Sequence, residues 1–484
     1  MRISRGKALR QMLLALGLGL MLALRGVLAE PGQPSLPAPV AGALAEAGIP
    51  PDAVSVVVQD LSTAHPLLSW NGDTPRAPAS LMKLVTTYSA LAAFGPAWTW
   101  ETRVYGPAPR QGRVDGNLYV VGVGDPDLTL ERWENLLRDL RIRGVRQIRG
   151  DVVLDASAFQ PEPEDPGAFD HQAFRTYNTL PAALQVGFKA VTVTLTLDAE
   201  GRHVLTLPNF EFPGLEIVNR LQPAAGSCPA DWKNGIERQV EDNGSKARIT
   251  LRGRFPSGCG RKSMSFSVFS NESYIAQAFR TLWRQLGGSL SGRVRLGPAP
   301  SPELPMLAVT RSPPLADQLR LINKYSNNLM ARTLLLDLGR EEGRPASRAQ
   351  GAAYIRQILA QRGLQFPELV VENGCGLSRQ ELISAGHLNA LLIQASREPT
   401  QAEFVSSLAI SGLDGTAERR FPDGEIEGRF HLKTGSLDDV SGMAGYGDTR
   451  SGHRVALVFV VNHAHAAAAK PAQEALLRWI GDSL

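Results

Sequence analysis

This sequence predicts a multidomain α/β chain of the α+β kind, on three observations. Its 484 residues exceed what one hydrophobic core holds, which is roughly 250 residues. Strand-like and helix-like periodicities both occur along it. The texture also changes twice, so that residues 101–301 read as an inserted region, expected to hold two smaller domains, inside an outer part made of 30–100 and 302–484. Hydrophobic residues at 43% and charged residues at 20% give an ordinary globular composition.

The first 29 residues stand apart from the fold. Arg2, Arg5, Lys7 and Arg10 form a basic start, residues 12–24 are an apolar run of 13, and Val27-Leu28-Ala29 offers small residues for cleavage after Ala29. That order is a secretory signal peptide. The alternative is a retained anchor, but a spanning helix needs about 20 apolar residues. No Cys follows the cleavage site, so a lipid anchor there is not expected. The segment carries five basic and no acidic residues, so its removal takes the net charge from +4 to −1. No basic surplus remains to suggest a nucleic-acid partner.

The outer part reads as follows. Residues 30–40 are Pro-rich and read as a linker. Residues 54–60 and 67–70 read as strands with a turn at 71–73. Residues 80–94 carry apolar side chains at helical spacing, ended by Gly95-Pro96. In the inserted region, 116–121, 191–197, 247–255 and 264–269 read as strands and 130–140 as a helix. The Pro-rich, acidic stretch 161–169 reads as an exposed loop. Helical spacing then returns over 315–338 and 347–361, three strands follow at 429–433, 442–447 and 455–461, and a helix at 471–479 closes the chain.

Three short patterns carry chemistry. Ser80-Leu81-Met82-Lys83 opens a helix, where positions three apart share a face, so the lysine amine can take the proton of the serine hydroxyl. A helix start also favours negative charge, and a serine needs such activation to attack a carbonyl. The bland alternative for Ser80 is a helix cap, and Ser4…Lys7 repeats the spacing inside the signal peptide. Ser326-Asn327-Asn328 offers a second hydroxyl for proton relay and an amide for a substrate carbonyl; the same pattern recurs at Ser69-Trp70-Asn71. Lys433-Thr434-Gly435-Ser436 puts cationic and hydroxyl groups at a strand end, suited to a carboxylate, with a glycine that lets substrate backbone lie close. Each is weak alone; their order and contexts together are specific.

Ser-x-x-Lys, Ser-x-Asn and Lys-Thr-Gly in this order are the signature of penicillin-binding proteins and serine β-lactamases. The gap of 246 positions between Ser80 and Ser326 resembles one family among them. This is the class C low-molecular-mass penicillin-binding proteins, D-alanyl-D-alanine carboxypeptidase/endopeptidases of the penicillin-binding protein 4 type (peptidase family S13), which carry two extra domains there. Gly124-Asp125-Pro126-Asp127-Leu128, Leu154 to Phe159, Gly376-Leu377-Ser378-Arg379, residues 412–416 and Ala444-Gly445-Tyr446 extend the likeness over nearly the whole mature chain. Two departures stand out: Asn327 where the family often has Asp, and Asn373-Gly374-Cys375-Gly376 where it usually has Asp-Gly-Ser-Gly.

The resemblance implies a transpeptidase-like domain, an antiparallel sheet flanked by helices, interrupted by smaller α/β and β-rich domains. It implies a periplasmic enzyme whose partners are peptidoglycan stem peptides and, as covalent inhibitors, β-lactams. Ser80 would be the nucleophile, Lys83 the base and Ser326 the relay. Asn328 would hold the substrate amide, Lys433 and Thr434 the terminal carboxylate, and the N–H groups of Ser80 and Ser436 the oxyanion. Asp155 and Arg379 would approach the substrate side chain. No metal or organic cofactor is expected, since the eight histidines are scattered and no cluster has ligand spacing. In an oxidising compartment a disulfide is possible; Cys228 and Cys259, 31 residues apart, are the candidate pair, and Cys375 reads as a small buried hydrophobe. A β-lactamase and a catalytically silent wall-binding protein are the competing readings.

Overall fold

Strand Arg454–Asn462 shows how the outer part builds its core. Val455, Leu457, Phe459 and Val461 enter one buried cluster, and Ala456, Val458 and Val460 enter another on the opposite face. Side chains alternate across a strand, so a strand apolar at every position must be covered on both sides. The computed structural model describes residues 35–161, 165–300, 304–421 and 424–483. The expected signal peptide, 1–29, and the first part of the expected linker lie outside them.

The sheet around that strand is antiparallel and six-stranded. Its order is Ala409–Ile410, Phe430–Leu437, Val440–Asp448, Arg454–Asn462, Val54–Asp60, Leu68–Trp70. Helices Ala38–Glu46 and Lys470–Ser483 cover one face, with Val40, Leu44, Leu476 and Leu477 buried against it. The other face carries Met82–Phe94, Leu315–Lys324, Asn328–Leu338, Arg348–Gln361 and Ala385–Ser396. Among the described residues no helix is long and apolar enough to cross a membrane.

Several boundaries differ from the sequence reading for local reasons. The Pro-rich linker ends early, because Ala38–Glu46 is helical and proline is tolerated in a helix's first turn. The single helical stretch expected over 315–338 is two helices, broken at Tyr325–Asn327 where Ser326 takes φ 58°. Periodicity cannot register such a break, since the apolar stripe stays in phase across it. The strand expected at 429–433 runs on to Leu437, so Lys433 to Ser436 lie inside a strand rather than at its end.

The inserted region has its own core, centred on Trp133, Phe279, Trp283 and the apolar faces of its sheets. A five-stranded sheet, Val294–Leu296, Val152–Asp155, Leu118–Val121, Glu101–Tyr105, Met306–Arg311, packs with helix Leu130–Ile142. Met306–Arg311 pairs antiparallel with Glu101–Tyr105. The chain therefore returns to the outer layers near Ser312, beyond the expected division at 302. Three three-stranded sheets complete the region. In one, Leu215–Ser227 and Ala247–Gly258 run parallel with Ser227 opposite Gly258. That register brings the following residues together, and Cys228 and Cys259 form a disulfide.

Candidate active site

Ser80 sits in a single 3₁₀ turn, Ala79–Leu81, that feeds helix Met82–Phe94. It makes no side-chain cap bond, so the bland reading of Ser80 as a helix cap does not apply. The turn is wedged between the central sheet and a loop. Ala79 is held at φ 48°, a conformation that costs a non-glycine residue energy and clusters at functional sites. Gly376 lies so close that a Cβ there would fall 1.8 Å from the Ala79 carbonyl oxygen and 2.7 Å from the Ser80 nitrogen. On the other side a Cβ at Gly435 would meet the Ser80 nitrogen at 3.2 Å. Both glycines let backbone press on the nucleophile from opposite sides.

Lys83, three residues on, is fully buried. Its amine donates to the Ser80 hydroxyl at 3.0 Å, to the Asn328 side-chain oxygen at 2.7 Å and to the Cys375 carbonyl at 2.5 Å. Burial pushes the ammonium down from 10.5 to about 8; Cys375 and Glu381 oppose the shift and Arg332 adds to it. The arrangement matters once the proton is lost. A neutral amine has two N–H donors and one lone pair, and two of the three partners are oxygens that only accept. The lone pair is thus left facing the Ser80 hydroxyl.

Ser326 and Asn328 are positioned by the break between two helices. Asn327 caps the second, its side chain accepting from the Met330 N–H at 3.1 Å. Asn328 is the next residue and turns inward. Its oxygen takes the Lys83 bond and its nitrogen donates to the Tyr177 carbonyl at 3.0 Å. Tyr177 belongs to the inserted region, so that region forms part of the site wall.

Lys433 reaches the same centre from the sheet. Its buried amine donates to the Ser326 hydroxyl at 2.9 Å and to the Thr434 carbonyl at 2.7 Å. Burial, then the charges of Lys83 and Arg420, push it well below the ordinary lysine value. Thr434 donates to Thr416 at 2.8 Å. Residues 412–416 were quoted above only for likeness, and no periodic signal marked Thr416 as a partner of this strand.

A pocket of about 510 Å³ opens over Ser80, lined also by Asn328, Ser436, Tyr177, Phe169 and Arg379. Arg379 lies 4.8 Å from the Phe169 ring and pairs with Asp439 at 2.6 Å. The structure therefore brings together Ser80, Lys83, Ser326, Asn328, Lys433 to Ser436 and Arg379. It does not bring Asp155 to them. One Asp155 oxygen accepts the Ser157 N–H and the other the Ala299 N–H, at 2.9 and 2.8 Å. The carboxylate is taken up by one local amide and one from the distant 299 segment, and it does not line the pocket over Ser80. Of residues 165–169, read as an exposed loop, Phe169 lines this pocket and Asp165, Pro166 and Ala168 line a neighbouring one beside Arg332 and Ser378; 162–164 lie outside the described residues.

The comparisons with known proteins agree with this geometry. A model of the D-Ala-D-Ala carboxypeptidase 3 (S13) family matches residues 36–482. A D-alanyl-D-alanine carboxypeptidase of Actinomadura sp. (strain R39) is 30% identical over 431 residues, covering 85% of this chain and 78% of that protein. The D-alanyl-D-alanine carboxypeptidase DacB of Haemophilus influenzae is 27% identical over 414 residues, covering 84% and 85%. The crystal structure of penicillin binding protein 4 (dacB) from H. influenzae matches with a TM-score of 0.75 at 25% identity, over 91% of this chain and 98% of that one. That protein has also been solved in complex with a β-lactam. The expected multidomain penicillin-binding fold is the one found, and the family match spans the whole described architecture: the chain belongs to the D-Ala-D-Ala carboxypeptidase 3 (S13) family.

Proposed function

We propose that this chain is an exported serine D-Ala-D-Ala carboxypeptidase with endopeptidase capacity, that it trims peptidoglycan stem peptides in the periplasm, and that β-lactams acylate it on Ser80. The observation that carries the reading is the Lys83 amine, bonded at once to Ser80, Asn328 and Cys375. In its neutral form that amine is a base aimed at one hydroxyl. A pKa near 8 keeps a usable neutral fraction close to neutral pH.

Ser80 Oγ attacks the carbonyl carbon of the penultimate D-alanine while its proton passes to Lys83. The N–H groups of Ser80 and Ser436 stabilise the oxyanion; one such donor is worth about 3 kcal/mol. Collapse breaks the C–N bond, and the leaving amine takes a proton from Ser326. The proton that Lys83 took from Ser80 makes good that loss, which returns Lys83 to its neutral form, while Lys433, bonded to Ser326, holds that hydroxyl in place and keeps its own charge. Water, deprotonated by Lys83, then hydrolyses the ester. In a cross-link the leaving amine belongs to a neighbouring stem peptide, and the same steps give endopeptidase action. Asn328 holds the substrate amide, Lys433 supplies charge and Thr434 a hydroxyl for the terminal carboxylate, and Arg379 lies on the substrate-facing rim.

The test is incubation of the mature protein with a labelled penicillin, followed by mass spectrometry of the adduct. A long-lived adduct on Ser80 that is absent in Ser80→Ala is the expected result. No adduct, or one on another residue, sinks the reading. Rapid turnover to hydrolysed drug would instead mark a β-lactamase.

A further inference from the structure

Glu381 is completely buried and is not used in the chemistry above. Its Oε1 accepts three consecutive backbone N–H groups, from Glu372 at 3.1 Å, Asn373 at 2.9 Å and Gly374 at 2.8 Å. Successive amides converging on one oxygen make a nest for negative charge. The loop so held is the one that grips the catalytic turn. The Gly374 carbonyl accepts the Thr86 hydroxyl at 2.7 Å, the Cys375 carbonyl accepts the Lys83 amine at 2.5 Å, and Gly376 presses on Ala79 and Ser80.

The charged groups around Lys83 come from every element packed on it. Helix Asn328–Leu338 brings Arg332, whose Nε lies 3.4 Å from the Cys375 sulfur. Strand Phe430–Leu437 brings Lys433, which feels the Lys83 charge. The loop itself brings Glu372, whose carboxylate accepts the Ser378 hydroxyl, and Cys375. Glu381 is the carboxylate whose charge acts on Lys83. Around Lys83 the cations Arg332 and Lys433 are thus opposed by Cys375 and by the buried Glu381 carboxylate.

We infer that Glu381 is a positioning residue for the Ser80–Lys83 pair: its carboxylate pins the 372–376 loop that holds the Lys83 amine and sets how readily that amine releases its proton. Burial outweighs the three amides and the Lys83 charge and leaves the Glu381 pKa raised, while hydrogen bonds donated to the carboxylate favour its charged form. The inference rests on Lys83 being the base.

Two substitutions separate its two effects. Glu381→Gln keeps an oxygen for the nest and removes the charge, while Glu381→Ala removes both. The readout is the pH profile of acylation by a labelled penicillin, with the yield of Ser80 adduct as control. Losing a nearby anion lowers a lysine pKa, so the rising limb in Glu381→Gln moves to lower pH by about one unit. Glu381→Ala also frees the loop and slows acylation by up to about 10²-fold, as misplacement of a catalytic group does. The double variant Asn373→Asp/Glu381→Gln returns a carboxylate to the same loop and moves the limb back toward that of the native protein. If Glu381→Gln is recovered unfolded, Glu381→Asp carries the test: it keeps the charge on a shorter stem, so the limb keeps its pH while acylation slows, and an unchanged rate overturns the inference. A limb that stays at the native pH in Glu381→Gln, or an unchanged acylation rate in Glu381→Ala, overturns the inference. Failure of the native protein to form a Ser80 adduct would overturn the reading beneath it instead.

Discussion

The Lys83 amine lies 3.0 Å from the Ser80 hydroxyl and also contacts two carbonyl oxygens, from Asn328 and Cys375. Those two acceptors determine where the lone pair of a neutral lysine must point. The pH dependence follows from this geometry. Lys83 acts as a base only when neutral, and burial lowers its pKa to about 8. The acylation rate should therefore rise with pH and level off above about 8. Stopped-flow measurement with a reporter penicillin reads the limb directly, and a limb near 10.5, the ordinary lysine value, would contradict the assignment. Lys83→Met should slow acylation by about 10²–10⁴-fold.

Gly376 should be intolerant of a side chain. It has φ +86°, and a Cβ would fall 1.8 Å from the Ala79 carbonyl oxygen. Gly376→Ala combines left-handed strain, about 1–3 kcal/mol, with a backbone clash that only movement of the Ser80 turn relieves. Loss of penicillin stoichiometry together with a lower melting temperature is expected. Gly363→Ala is the control, since φ is +75° there with nothing within 4 Å. It should show a modest stability loss and full penicillin binding.

Asp155 and Arg379 should separate cleanly in kinetics. Asp155→Ala removes the bonds from the Ser157 and Ala299 amides, which are part-buried and can turn to water, at about 0.5–1.5 kcal/mol for each bond. It should lower the unfolding midpoint in urea and leave kcat/KM unchanged. Arg379→Ala should raise KM for peptide substrates, because Arg379 lines the pocket over Ser80. A fall in kcat/KM for Asp155→Ala at unchanged stability would restore its expected substrate contact.

The disulfide should matter to stability and not to chemistry. Cys228–Cys259 closes a separation of 31 residues, worth about 3 kcal/mol on the chain-entropy account. The bridge sits at the strand ends of the inserted region, apart from the pocket over Ser80. Cys228→Ala/Cys259→Ala should melt earlier in calorimetry and still form the Ser80 adduct at the native rate.

Much of this protein was legible in its residues before any folding was considered. Local periodicity located the Met82–Phe94 helix and the Val54–Asp60 and Arg454–Asn462 strands, because the apolar pattern of an element is a local property. The three motifs named Ser80, Lys83, Ser326, Asn328 and Lys433, because side-chain chemistry survives in a string of letters. What tertiary structure alone decided is which atoms meet. Asn328 lies 245 residues from Lys83, Cys375 lies 292 from it, and Lys433 lies 107 from Ser326; no local rule couples positions so far apart. The left-handed turn at Ser326, the Tyr177 carbonyl on Asn328, the turning away of Asp155 and the nest around Glu381 all arise from backbone groups. The Ser80–Lys83 pair could be named from the sequence. That its lone pair faces the hydroxyl is fixed by two carbonyl oxygens that only the packed chain delivers.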